Sequence, residues 1–144
     1  MTDAPPVPQG DYLPATRHGD LITTAGMTPR QAGRLMVTGP VRADAPIGDY
    51  RDPVVLACRN ALTAARALLA PGEAIAQVLS MTVYIATGPK FTAHSRLADF
   101  ASAFLREELG APGRCARAAL GVASLPGNAP VEIQLVVAAG RRTS

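Results

Sequence analysis

The segment DPVVLACRNALTAARALLAPGEAIAQVLSMTVYIATGP, residues 52–89, decides the fold class. Asp52 can accept hydrogen bonds from the free amides of a first helical turn, and Pro53 suits the first helical position. Val54, Cys58, Ala61, Leu62, Ala65, Leu68 and Leu69 recur at helical spacing, whereas Arg59, Thr63 and Arg66 fall off that stripe. Pro71-Gly72 stops the helix. Over residues 76–87 the period changes to two. Leu79, Met81, Val83 and Ile85 alternate with Ser80, Thr82, Tyr84 and Ala86, as in a strand covered on one face. An amphipathic helix thus feeds a half-covered strand.

Downstream, a Gly88-Pro89 turn leads to a second helix over residues 92–109. Its stripe is Leu97, Phe100, Ala101, Phe104, Leu105 and Leu109, with Arg106, Glu107 and Glu108 mostly outside it. Gly110 suits a left-handed cap, and Pro112 forbids continuation. Strands are predicted at 114–123 and 130–139. Upstream, the β-branched segments 20–27 and 34–41 predict an opening hairpin with a polar turn between them, closed at Gly39-Pro40. Residues 42–51 read as a loop.

The order is β-β-α-β-α-β-β, an α+β fold in which two helices pack on one face of a mixed sheet. The other face carries small residues such as Ala119, Gly121 and Ala123. A sheet covered on one side only predicts self-association. One domain is expected over residues 1–144, with a loose leader at 1–11 and a frayed tail at 140–144.

With 48% apolar and 17% charged residues, the chain can bury a core and does not read as disordered. No segment approaches a membrane span, and the acidic, Pro-rich opening MTDAPPVPQG does not read as a signal peptide. Cys58 and Cys115 are the only cysteines, which points to a reducing cytoplasm rather than a disulfide scaffold. Cys58 reads as a core thiol. Cys115 reads as a packing residue, although Arg114 and Arg117 could lower its pKa. With no CxxC or HExxH and with only His18 and His94, no metal is expected. Both histidines read as surface residues; Arg30 and Arg34, near the hairpin turn, could border a cleft but read rather as solvated. The net charge of +3 rests on arginine, Lys90 being the sole lysine. Scattered arginines and six aromatics argue against a dedicated nucleic-acid binder.

Two charges stand inside apolar strands. In CARAALGVA, Leu120 and Val122 alternate with Arg117, Ala119 and Gly121. In PVEIQLVVAA, Val131, Ile133, Leu135 and Val137 alternate with Glu132 and Gln134. Both charges are assigned to the face opposite the main apolar stripe. Burying an unpaired charge is costly, so each must find a partner or line a cleft. Arg117 could receive a carboxylate, because the guanidinium fork matches two oxygens, with Glu132 holding a water. A structural Arg–Glu pair at a subunit contact is the alternative.

The run from Arg117 through Leu125-Pro126 to Val131-Glu132-Ile133 resembles the C-terminal signature of the RidA (YjgF) family of reactive-intermediate deaminases. Tyr12, Gly19-Asp20-Leu21-Ile22, Ala25-Gly26, Asn60-Ala61-Leu62 and Met81-Thr82-Val83-Tyr84-Ile85 are similar to further parts of that family, so the likeness runs from about Tyr12 to Ala139. The resemblance implies a chorismate mutase-like fold and a homotrimer with helices outside, the sheets forming a barrel inside, and clefts between subunits. It implies hydrolysis of 2-imino or 2-enamino acids to 2-keto acids and ammonia, without cofactor or metal. Arg117 would bind the substrate carboxylate, Glu132 would position the water, and Tyr12 would lie at the cleft rim.

Ala25 stands where the deaminase subgroup has a serine, Ala119 where it has a cysteine, and Ser95 where its cleft asparagine falls. These departures imply a divergent branch with an altered pocket. A non-catalytic trimer that binds a small carboxylate or a protein, and the RNA cleavage suggested by the family's other name, endoribonuclease L-PSP, remain open as readings.

Overall fold

The computed structural model of the chain describes residues 6–142. Residues 1–5 of the expected leader and 143–144 of the expected tail lie outside them. The chain opens with β1 (Ala15–His18) and β2 (Leu21–Thr24), followed by two-residue strands β3 (Arg30–Gln31) and β4 (Arg34–Leu35). Then come α1 (Arg51–Arg66), β5 (Glu73–Ala86), α2 (His94–Leu109), β6 (Ala116–Val122) and β7 (Val131–Arg141). The main sheet has the order β1-β2-β7-β5-β6; β5 and β6 run parallel, and the other pairs are antiparallel. Leaving aside the small β3–β4 ribbon, the chain follows the expected order, with both helices on one face.

The opening hairpin is not the expected one. β1 and β2 pair around Gly19-Asp20, and Gly19 adopts the positive φ of 59° that the tight turn requires. Residues 34–41 cannot join the sheet beside β2, because β1 occupies one edge of that strand and β7 the other. They cross the end of β7 instead. At Gly39 a β-carbon would lie 2.9 Å from Pro130 Cα, and the Gly39 amide donates to Asn128 O at 2.7 Å.

The first helix starts at Arg51, with Tyr50 rather than Asp52 at its N-cap and no side-chain cap. A 3-10 turn over Ile47–Tyr50 leads straight into it, so the capping role assigned to Asp52 is not needed. Asp52 still places a negative charge in the first turn, where the helix dipole favours it. The helix stops at Arg66, so Leu68 and Leu69 pack on the core from beyond its end.

β5 departs from strict alternation. Its register against β7 shifts between Ile75 and Gln77 and again between Val78 and Ser80. Each bulge turns the following side chains over. The buried set is therefore Ile75, Val78, Met81, Val83 and Ile85, while Leu79 is 41% exposed on the uncovered side.

Against the covered face pack Val54, Ala57, Cys58, Ala61, Leu62, Ala64 and Ala65 of α1 and Leu97, Ala98, Ala101, Phe104 and Leu105 of α2. Ile22, Ile133, Leu135 and Val137 complete this core from the sheet. β7 carries the ladder to Arg141, and the Arg142 amide donates to Gly72 O at 2.8 Å, so residues 140–142 are tied down rather than frayed.

Candidate functional site

Pairing across strands fixes which way the two charges point, because laterally paired residues share a face. Met81 of β5 pairs with Arg117 on one side and Leu135 on the other. Met81 and Leu135 are fully buried beneath the helices, so Arg117 points to the helix side. Tyr84 pairs with both Leu120 and Glu132, and this row faces away from the helices. The expectation that Arg117 lies opposite the main apolar stripe is thus reversed, and Leu120, at 43% exposure, is the outward residue. β6 is an edge strand with few neighbours, so its hydrophobic pattern carries little information about its buried side.

Arg117 reaches across to α2. Its Nη1 donates to Asp99 Oδ1 and to Ser102 Oγ, both at 2.9 Å. Its Nη2 donates to Ser95 Oγ at 2.7 Å and to Ser95 O at 3.3 Å. The guanidinium borders an open groove of about 610 Å³ together with His94, Ser95, Ala119 and Gly121, and Leu120 reaches the rim from the other face. Three of the expected site residues, Arg117, Ser95 and Ala119, therefore meet here.

His94 joins them, against the expectation of an uninvolved surface residue. Its ring packs edge-on against Phe91 at 5.1 Å, and a β-carbon on Gly121 would lie 2.8 Å from its Nε2. The pairing of glycine in a strand with a histidine one turn before the α2 stripe was the available signal, and it is weak without the fold.

The other expected residues gather elsewhere. Glu132 lies against Gly26, where a β-carbon would overlap its carboxylate. Gly26 follows Ala25 and precedes Met27, whose amide donates to Ile133 O at 2.8 Å, so this segment is pinned beside β7. Half-buried and without an ion pair or hydrogen bond to its carboxylate among the described residues, Glu132 has its pKa pushed up by burial. Tyr12 and Gly26 line one cavity of about 440 Å³, which Arg30 and Asn60 also border. Arg30 is therefore a cleft residue rather than a freely solvated one. The Asn60 side chain donates to Thr28 O at 3.0 Å and Arg30 O at 2.8 Å, tying α1 to the ribbon.

The cysteines are quiet. Burial raises the thiol pKa of Cys58, and at Cys115 burial outweighs the lowering influence of Arg117. Among the described residues no three His, Cys, Asp or Glu side chains converge as metal ligands. No helix among them is long and apolar enough to cross a membrane.

A mixed sheet with two helices on one face and two separate polar clusters defines the class. The profile of the Endoribonuclease L-PSP family matches residues 1–139, and the chain belongs to that family. Among solved structures it is similar to a protein of unknown function from Agrobacterium tumefaciens, with 34% identity and a TM-score of 0.82, covering 92% of this chain and 85% of that one. The E. coli YjgF gene product superposes with a TM-score of 0.68 at 20% identity, covering 93% and 92% of the two chains. E. coli TdcF, solved with bound serine, does so with a TM-score of 0.66 at 22% identity, covering 99% and 96%.

Proposed function

We propose that the protein hydrolyses reactive 2-imino or 2-enamino acids, or a related small carboxylate, in clefts between the subunits of a cytoplasmic homotrimer. The observation that carries this reading is the Arg117 guanidinium held at the free edge of the sheet, in an open groove. That TdcF binds serine supports a small amino acid-like ligand with a carboxylate. The two free cysteines suit a reducing compartment.

Within one protomer Arg117 and Glu132 are separated by the sheet, so a shared site needs two protomers. The uncovered face offers Ala118, Leu120, Leu79 and Tyr84 for that contact. Arg117 of one subunit, with Ser95, would hold the substrate carboxylate. Glu132 of the next subunit, with Tyr12 at the rim, would face the reacting carbon. There the carboxylate accepts a proton from water as its oxygen adds to the C=N carbon. That proton passes to nitrogen; the carboxylate then carries the proton of the new hydroxyl to nitrogen as the C=O forms and the C–N bond breaks, and ammonia and the 2-keto acid leave. Such imines hydrolyse unaided, so orientation plus one acid–base group is sufficient catalysis. Ala25 and Ala119 leave the pocket wider than a serine and a cysteine would, which favours a bulkier substrate.

The test is to generate imines in situ with an amino-acid oxidase and follow their decay. Acceleration that disappears in Arg117→Ala is expected. No acceleration with any of a dozen amino acids would overturn the deaminase reading and leave carboxylate binding without catalysis. Cleavage of defined RNA by nuclease-free protein, lost in Glu132→Ala, would favour the family's other named activity instead.

A further inference from the structure

Arg117 is already engaged in this chain. A guanidinium has five N–H donors, and four of Arg117's are used, by Asp99, Ser102 and two oxygens of Ser95. Only Nε–H has no partner among the described residues. A carboxylate gripped by two parallel N–H bonds needs Nη2 together with either Nε or Nη1. Neither pair is free: for an end-on grip Nη1 must lose Asp99, and Nη2 must give up its long 3.3 Å bond to the Ser95 carbonyl.

The three partners come from one helix. Ser95, Asp99 and Ser102 stand at i, i+4 and i+7 of α2, a single stripe aimed at β6. They differ in how firmly they are held. The Arg117 side chain is 18% exposed, but that of Asp99 is 65% exposed, so Asp99 can swing into water while Arg117 stays in place.

We propose that Asp99 is an internal occupant of the carboxylate site, a specificity-determining residue that an incoming substrate carboxylate must displace. The inference rests on the carboxylate-anchor reading of Arg117. Because Asp99 is tethered beside the guanidinium, it competes at a high effective concentration and weakens every carboxylate ligand. Monocarboxylates that make no further contacts are held off, and only substrates that also engage the opposite half of the cleft hold Arg117 long enough to react. Neutralising Asp99 therefore strengthens binding. A residue that merely supported Arg117 would do the opposite.

The experiment measures pyruvate binding to the full-length protein and to Asp99→Asn and Asp99→Ala, with uncharged pyruvamide as control. Pyruvate is expected to bind both variants about fivefold more tightly, the scale of one exposed ion pair, with pyruvamide binding unchanged. In an imine assay the same variants lower KM with kcat little altered. Equal or weaker pyruvate binding by the variants, with wild type binding normally, overturns the role of Asp99 but leaves the anchor intact. If pyruvate binds none of the three proteins, the anchor reading fails and the Asp99 proposal fails with it. An unchanged melting temperature is expected for each variant, since Asp99 is a surface residue.

Discussion

Arg117 and Glu132 stand on opposite faces of one sheet, Arg117 in the row of Met81 and Leu135, Glu132 in the row of Tyr84 and Leu120. Side chains that leave a sheet in opposite directions cannot grip one small molecule from a single protomer. Any chemistry that uses both must draw them from neighbouring copies, which in the proposed trimer are related head to tail around a closed ring.

Subunit mixing tests this directly. Arg117→Ala and Glu132→Gln should each be nearly inactive alone. Co-refolded at equal ratio, they should recover about a quarter of wild-type activity, the share of interfaces that pair an intact arginine with an intact glutamate in a heterologous ring. Recovery of none would mean that the two residues do not meet across a subunit contact.

The open face should govern assembly. Leu120→Asp puts a charge in the middle of the uncovered face, 43% of Leu120 being exposed in the single chain. A shift of the oligomer toward monomer by light scattering is expected, with the circular dichroism spectrum retained. An unchanged oligomer would place the contact elsewhere.

Glu132, the proposed acid–base group, costs the fold stability when it is ionised. Its folded pKa is raised by burial, so the native chain binds the proton more tightly than the unfolded chain does, and the ionised form destabilises the fold at neutral pH. Glu132→Gln should therefore raise the melting temperature at pH 7–8, with the gain fading as pH falls below the carboxylate range. The same change should lower turnover roughly 100-fold, the usual contribution of one general base.

Glu73 acts in the other sense. Its carboxylate accepts two bonds from Arg17, at 2.6 and 2.9 Å, and one from the Ala70 amide at 2.8 Å. The Arg17 hydrogen bonds lead in holding its pKa at about 2, below the ordinary 4.5. A depressed folded pKa gives stability that is fully present above the unfolded value and is lost as pH falls through the folded one. Acid titration should thus show a loss between about pH 4.5 and 2 that is flattened in Glu73→Gln. Equal acid sensitivity in the variant would show that the pair contributes nothing.

Position 26 should tolerate no side chain. Gly26→Ala places a methyl where the Glu132 carboxylate now lies, so kcat should fall while pyruvate binding at Arg117 is retained. Loss of both together would mean that the change disturbs the whole fold.

Periodicity alone determined the two helices, the three long strands and their order, because an element that buries one face must repeat its apolar residues with its own pitch. The charged residues within the last two strands were equally visible, since a charge in an apolar run has to be accommodated. Three matters needed the folded chain. The bulges of β5 turned Leu79 outward, and a bulge is a property of the pair of strands, not of one. The partner of β2 was settled by competition for its two edges. The direction of Arg117 was set by pairing with Met81 and by the Ser95–Asp99–Ser102 stripe of a helix that lies fifteen or more residues away in the chain. Alternation states that neighbours face opposite ways; only contact with the rest of the molecule decides which way is in.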